Sequence, residues 1–409
     1  MADQRIQYNE QLVGAGHPTK TDTVNRLALV EHNNDGTHKS TNIYTDLITK
    51  GPWIDVRAYG AVGNDSTDDT AAIQAAITAA SGGTVLIPAG TYKIISSLTG
   101  GTNGIRILGV GREKTIIKNY GTGHAITTPA AIRGYTVQDL QILGVAGSLD
   151  CINLTANFGH VQLRNLLLKP VRHAVNASAG NGIDILMDSV RGEGGTIVFN
   201  FSSGGVAINS IHAINCYANA SSNIGFDIYN VATFTATESS ADNNTNYGWQ
   251  ISTNATLIGC TAEANGARGF TVTGAGDIAF IDARTYSQLL PFHINAAGAN
   301  VTFINPRTAS TPSGASIAVG TVGDVVLIGG ANLDAGLSSS ALAAIGLRFT
   351  GNQFTLNNHK IVYGTAAPAT GTWAAGDMTI NSAPTVGQPK GWRCTVAGTP
   401  GTWVSEGNL

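Results

Sequence analysis

Along the middle of the chain, short apolar runs alternate with turns rich in Gly and Asn, and the pattern returns at a nearly constant interval. The anchor is the apolar or aromatic residue after a glycine: Phe226, Trp249 and Phe270. Ten positions before each stands a small residue, Cys216, Ser239 or Cys260, and Phe292 with Asp282 continues the series. The steps are 23, 21 and 22 residues. The wording repeats as well: Cys216-Tyr-Ala-Asn-Ala-Ser, Ser239-Ser-Ala-Asp-Asn-Asn, Cys260-Thr-Ala-Glu-Ala-Asn, each followed by Gly-aromatic-x-Ile/Val. Such an interval, filled by short strands and tight turns, predicts a solenoid of stacked coils. Looser copies run backward through Asn165-Leu-Leu-Leu and Asp139-Leu-Gln-Ile, and forward through Val301-Thr-Phe-Ile and Val325-Val-Leu-Ile. A β-sandwich also carries regular turn signals, but it gives no reason for side-chain types to repeat coil after coil.

Stacked coils pair as parallel strands about 4.8 Å apart, so equivalent positions form columns. One expected column is Cys216, Ser239, Cys260 and Asp282, its small members suited to an inward turn. A second, Asn219, Asp242, Glu263 and Thr285, is polar throughout and is expected to face solvent.

Residues 55–94 read differently: a strand, a Gly/Asp turn, a short helix, a Gly82-Gly83 stop and a second strand. Thr67 is the expected helix cap, with Asp68 and Asp69 placing negative charge in the first turn. Ile73, Ile77 and Ala80 fall at helical spacing and form one apolar stripe, which needs a surface to cover; the open end of a stacked sheet provides one.

This stretch resembles the opening of the pectate-lyase-like right-handed β-helix superfamily, in which the helix plugs the N-terminal end of the solenoid. Tyr59-Gly60-Ala61, Asp68-Asp69-Thr70, Ala72-Ile73, Gly82-Gly83, Pro88, Gly90 and Tyr92 carry the likeness. The Gly-Asp-Gly turn of that family appears here as Gly63-Asn64-Asp65. The resemblance implies an all-β fold: a right-handed parallel β-helix with an N-terminal capping helix, over residues 51–350. It describes a fold entrance and implies no particular chemistry.

The two ends differ from this body. Residues 1–50 contain Gly14-Ala-Gly-His-Pro-Thr-Lys-Thr-Asp-Thr-Val-Asn-Arg and Leu29-Val-Glu-His-Asn-Asn-Asp-Gly-Thr-His-Lys. They resemble the virion-proximal leaders of bacteriophage tail-fibre and tailspike proteins. Residues 351–409 are punctuated by Pro and Gly and carry Trp373, Trp392 and Trp403. They resemble a small C-terminal β module of phage tail proteins. The tryptophans are open to three roles: stacking on sugars, forming the module's core, or closing a trimer.

Composition narrows the function classes. The chain has 51 glycines, 12% charged residues and a net charge of −3. Ile, Val, Leu and Phe recur throughout, which argues for the solenoid over a disordered chain. The near-neutral charge argues against nucleic-acid binding and against a polybasic membrane patch. There is no apolar run long enough to span a bilayer, and residues 1–30 lack a signal-peptide core, so neither membrane insertion nor the usual export route is expected. Cys151, Cys216, Cys260 and Cys394 have no metal-ligand spacing. No disulfide, metal or cofactor is expected.

The best chemical candidate is Asp242 with Glu263. On adjacent coils their carboxyls come within the spacing of a retaining glycosidase pair, and like charges that close raise one pKa. Glu238 is a candidate third acid. Trp249 and Tyr247 are candidate sugar platforms, and Arg268 and Arg284 candidate substrate contacts. The alternative is a set of solvated turn acids without a chemical role. A lyase needs a base and a neutralising cation, often with calcium on clustered carboxylates; Arg268, Arg284 and His212 are near in sequence, but no compact acidic cluster is present.

The expected function is that of a phage tailspike, located on the virion and acting outside the bacterial cell. It binds and depolymerises a bacterial surface polysaccharide, by hydrolysis rather than elimination. A homotrimer, and attachment to a phage tail or baseplate protein through the leader, are implied by the resemblance. A non-enzymatic receptor-binding fibre and a polysaccharide lyase are the alternatives.

Overall fold

The computed structural model describes residues 53–101, 103–155, 157–177, 181–201, 208–309, 317–319, 325–328, 332–333, 347–348, 353–356 and 359–409. The expected leader, residues 1–50, and the boundary near residue 350 lie outside the described residues. The chain is an all-β parallel solenoid of about 10 turns, the β-helix anticipated from the repeat. It divides into two compact units, Met1–Val198 and Phe199–Leu409.

In the first unit, alternation of apolar and polar residues sets which side of each strand is buried. Val85, Ile107, Val137, Leu163 and Met187 are register neighbours on successive coils, and all are fully buried. Tyr92, Ile117, Ile142 and Leu168 form a second inner ladder. Removing each such side chain from water contributes roughly 1.5–3 kcal/mol, which makes these ladders the dominant stabilising element.

The helix is Thr70–Ala80, two residues later than the Thr67 cap predicts. Its N-cap is Asp69, whose carboxylate turns away to accept the backbone N–H groups of Val62 (2.6 Å) and Gly63 (3.1 Å). Asp68 accepts from the Thr70 N–H at 3.0 Å. The two acids therefore organise the preceding loop and the helix entry, and neither lies in the first turn. Ile73, Ala76 and Ile77 are fully buried, and the helix packs on strands Trp53–Asp55, Thr84–Leu86 and Leu98–Thr99. Gly63 has φ +68, and a Cβ there would lie 2.8 Å from the buried Tyr92 ring. The third turn position is Asp65 at φ +61, and its carboxylate pairs with Lys118 at 2.8 Å.

In the second unit each coil has three strands. The long strands, Val231–Thr237 among them, stack Phe234, Ala255, Ile278, Val301 and Val325 inward. Between the long strand and the short one the backbone must turn through the left-handed region. It does so at Asn215, Glu238, Gly259, Asp282 and Asn305, with φ of 47–63°. Asn, Asp and Gly tolerate that conformation with little strain. The short strands are Tyr217–Asn219, Ser240–Asp242, Thr261–Glu263, Arg284–Tyr286 and Arg307–Ala309. The third strands stack Phe226, Trp249, Phe270 and Phe292, all fully buried.

The expected inward column is observed for Cys216, Ser239 and Cys260, but its fourth member is Ala283 and not Asp282. Asp282 is the turn residue before it. The slip arises because the segment between the short strand and Phe292 is one residue shorter than in earlier coils. A second inner ladder, at the next turn, is polar: Ser221, Asn244, Asn265 and Gln288 are all buried. Asn265 Oδ1 accepts from Asn244 N–H (3.0 Å) and Nδ2 (2.8 Å), and Asn265 Nδ2 donates to Ala241 O at 2.8 Å. All four cysteines are buried thiols.

Residues 353–405 include a five-stranded sheet, antiparallel except where His359–Gly364 pairs with Met378–Asn381. Its buried Asp377 accepts the Lys360 and Ala374 N–H groups, each at 2.7 Å. Trp373, Trp392 and Trp403 are half-buried, so they do not form a closed core. Trp373 meets Trp403 edge to face at 5.2 Å, with Lys360 Nζ 5.0 Å above the Trp373 ring. Among the described residues, no helix is long and apolar enough to cross a membrane.

Candidate functional site

The short strands of the second unit alternate strictly. Their middle residues, Ala218, Ala241, Ala262 and Thr285, are buried, and the flanking residues form the other face. Two outer columns follow. The first is Tyr217, Ser240, Thr261, Arg284 and Arg307; the second is Asn219, Asp242, Glu263, Tyr286 and Ala309. Thr285 was expected in the second column. It is buried instead and is the register partner of Ala262, a consequence of the same one-residue slip.

Asp242 and Glu263 are direct register partners on adjacent parallel strands, which sets their backbones about 4.8 Å apart. Asp242 is half-buried and Glu263 exposed. Ser240 Oγ donates to Asp242 Oδ1 at 2.6 Å, and Thr261 Oγ1 donates to Ser240 Oγ at 2.7 Å. Burial pushes the Asp242 carboxyl above its ordinary value, and the Glu263 charge adds to this. Hydrogen bonds from Ser240 and Tyr217 oppose it without cancelling it. One strand pair thus holds an acid biased toward its protonated form beside a solvated carboxylate.

Arg284 lies on the same face, exposed, in register with Thr261 and Arg307. Tyr286, 39% exposed, is the register partner of Glu263. The remaining expected residues do not join this face. Trp249 is fully buried, sandwiched between Phe226 (ring centroids 3.8 Å) and Phe270 (5.8 Å), and its Nε1 donates to Thr261 O at 2.9 Å. It belongs to the core and offers no surface to a sugar, because its place in the Gly-aromatic repeat is an inward one. Tyr247 and Arg268 are register partners on the following strands, with the guanidinium 5.2 Å from the Tyr247 ring centroid. One face of Tyr247 is therefore covered. Glu238 sits at the left-handed turn, its carboxylate over Gly259, where a Cβ would lie within 3 Å of it.

Tyr217, Ser240, Tyr286 and Arg307 were missed from the sequence. The available signal was parity: Tyr217, Ser240 and Arg307 each lie two residues from a second-column position on their own strand, and Tyr286 follows Glu263 in that column. Among the described residues, no group of three or more His, Cys, Asp or Glu is arranged to hold a metal ion.

The fold and this outer face define a parallel β-solenoid with an ionisable pair and with cationic and aromatic side chains along one wall. The family profile for rhamnogalacturonase A/epimerase, pectate lyase-like, matches residues 53–269, more than half of the chain, and the chain belongs to that family. Mannuronan C5-epimerases AlgE3 and AlgE2 of Azotobacter vinelandii are 45% identical over 73 residues. The match covers 15% of this chain but only 4% and 7% of the two epimerases, so it spans under a tenth of those relatives. Among solved structures, the Dettilon tailspike protein (gp208) superposes with a TM-score of 0.50 at 11% identity, covering 81% of this chain and 75% of that one. The A-module of Azotobacter vinelandii mannuronan C-5 epimerase AlgE4 gives a TM-score of 0.46 at 15% identity, covering 73% of this chain and 97% of that one.

Proposed function

We propose that this protein is a tailspike-type β-helix that binds a bacterial surface polysaccharide and cleaves it by hydrolysis at Asp242 and Glu263. The observation that carries this reading is the register pairing of the two acids, with Asp242 biased toward its protonated form. Asp242 donates its proton to the glycosidic oxygen as the bond to the anomeric carbon breaks. Glu263 attacks that carbon, and Asp242, now a carboxylate, takes a proton from the water that releases the sugar. A spacing near one strand separation fits the retaining course, and an acid of this kind contributes about 10²–10⁴ in rate. Arg284, Arg307 and Tyr286 line the path of the chain on either side. The superposition on a tailspike and the leader-like wording of residues 1–50 support the placement on a phage tail. A homotrimer, with the leader joined to a tail or baseplate protein and residues 351–409 as a separate module, belongs to this same reading.

One observation favours a second reading, a receptor-binding fibre without catalysis: the burial of Trp249 removes the expected aromatic platform from the acid face. The deciding experiment applies the purified protein to lawns of encapsulated bacteria and to their extracted polysaccharide, with reducing-sugar release as the readout. Halos and new reducing ends that vanish in Asp242→Asn and Glu263→Gln, with binding retained, support hydrolysis. Binding without cleavage by the wild type supports the fibre. New ultraviolet absorbance from unsaturated uronates overturns hydrolysis in favour of elimination.

A further inference from the structure

A second surface of the second unit takes no part in the chemistry above. On the long strands, the inner ladder of Phe234, Ala255, Ile278, Val301 and Val325 alternates with residues on the outer face. Two outer columns result. The first is His212, Thr235, Thr256, Ala279, Thr302 and Val326; the second is Ile214, Thr237, Ile258, Ile281, Ile304 and Ile328. Each rung is a register partner of the next, so the second column sets five isoleucines and one threonine in a line about 24 Å long. Ile214 is 44% exposed, Ile258 41% and Ile328 36%, while Ile281 and Ile304 are half-buried.

The charges stand around this stripe and not in it. From Thr235 to Val326 the first column holds only Thr, Ala and Val. His212 ends it on one side and Arg348, the register partner of Val326, on the other. Asn254, Asp277 and Asn300 border the first column. Asn254 Oδ1 accepts from the Asp277 N–H at 2.9 Å, and Asn300 Nδ2 donates to Asp277 Oδ1 at 2.8 Å. The left-handed turn residues, Glu238, Asp282 and Asn305 among them, border the second column, and Asn305 Nδ2 donates to Asp282 Oδ1 at 2.5 Å. An uncharged apolar centre between polar margins is the anatomy of a protein–protein interface. A row of isoleucines offers a sugar neither an aromatic face nor a hydrogen bond.

The spacing selects the partner. The stripe repeats once per coil over six coils. Another copy of this chain presents the same rise, so its isoleucines meet these at every rung when the two solenoid axes run parallel. A partner with a different repeat falls out of step. The centre carries no charge, so copies meet there without repulsion. Area sets the number of copies. Two columns of six positions, each position about 4.8 Å by 6.8 Å, cover roughly 400 Å² per chain. Two chains bring together about 800 Å², short of the roughly 1,200 Å² at which specific interfaces begin. Three chains around one axis bring together about 1,200 Å² and close the assembly.

We propose that this face is where copies of the chain join side by side, three around an axis parallel to that of the second unit's solenoid. The seating of a copy rests on the face itself. The number three rests on the area and on the homotrimer of the functional reading.

The test measures the mass of the purified full chain by light scattering, with circular dichroism melting as the control for folding. Wild type is expected at three times the chain mass. Ile258→Arg/Ile281→Arg is expected to fall to one chain mass with the β signal retained. Ile258→Cys gives a second readout that needs no charge inside the stripe. The four native cysteines are buried, so oxidation with diamide is expected to join two Ile258→Cys chains covalently and to leave Asn246→Cys, on a polar exposed turn, largely unjoined. A wild type of two chain masses keeps the face and overturns the count of three, and with it the homotrimer. A single-chain wild type overturns the proposal, as does an arginine variant of unchanged mass or an Ile258→Cys chain that cross-links no more than Asn246→Cys. An arginine variant that keeps its mass and loses polysaccharide binding makes the stripe a glycan surface, which also overturns it. Reducing-sugar release by the wild type reports on the acid pair separately, so failure of catalysis and failure of this face are told apart.

Discussion

Asp242 and Glu263 face outward from the same rung of adjacent parallel strands, and it is Asp242, the half-buried member, whose carboxyl is pushed up. Asp242→Asn and Glu263→Gln are each expected to lower polysaccharide cleavage by about 100-fold or more. Binding of uncut polymer is retained, because each amide keeps the size of the acid it replaces. Reducing-sugar release, set against a sedimentation assay of binding, measures the two effects separately.

The raised Asp242 value also fixes a stability trend. Folding disfavours its charged form, so its stability contribution is fully present below the ordinary value of 3.8 and is lost as pH rises through the folded value. Asp242→Asn removes that dependence while keeping an acceptor for Ser240. The variant is expected to melt at or above the wild-type temperature at pH 7, and the difference is expected to vanish near pH 3. A variant that melts clearly lower at pH 7 would show that Asp242 is held by partners that favour its charge.

The coil length was legible because side-chain size repeats. Cys216, Ser239 and Cys260, and Asn219, Asp242 and Glu263, stand in the registers that their spacing implies. Asn165 over Asp139, joined at 2.6 Å, and Val301 over Val325 were legible in the same way. The fourth rung was misplaced because one residue is missing between Gln288 and Leu290 relative to Asn265 and Arg268. A solenoid absorbs such a deletion in a turn without disturbing either ladder, so the aromatic column stayed in step while the small column slipped. The orientation of Trp249 was legible too, since it occupies the same repeat position as Phe226 and Phe270. Its chemical appeal as a sugar platform competed with that periodicity, and periodicity prevailed. His124 and His173 flank the buried Asp150 across coils of 26 and 23 residues, where no wording repeats, and the sequence offered no signal for that stack.

Trp249 fills the space between Phe226 and Phe270, so truncation leaves a cavity across two coil interfaces. Trp249→Ala is expected to cost about 3–5 kcal/mol in urea denaturation. Trp249→Phe, which keeps the stack and loses the 2.9 Å bond to Thr261 O, is expected to cost less and to leave polysaccharide binding unchanged.

Asn265 terminates two donors of Asn244 and caps Ala241 O, all in the interior. Asn265→Ala strands those groups away from water, at a cost of roughly 1–3 kcal/mol each where water cannot enter. Asn246→Ala removes an exposed bond to Asn223 in the neighbouring coil and is expected to change stability by under about 0.5 kcal/mol. Denaturant midpoints for the two variants separate the buried ladder from the solvated one.

Asp150 carries the opposite sign from Asp242. Its folded value is depressed, so its stability contribution is present above the ordinary 3.8 and is lost as pH falls through the folded value. Asp150→Asn removes the charge that Arg172 is built around. Breaking one partner of a buried ion pair costs about 3–5 kcal/mol, and the low end applies because the Arg172 side chain is 39% exposed. Melting curves are therefore expected to place Asp150→Asn well below wild type at pH 7. The gap narrows steadily below pH 4, where the wild type begins to lose what the variant never had. Asp242→Asn shows the reverse order at pH 7. Two aspartates in one β-solenoid then respond to acid in opposite senses, because one is surrounded by cations and donors and the other is desolvated by burial, with a second carboxylate on its rung. A pair of curves running in the same direction would contradict the assignment of charge states to both sites.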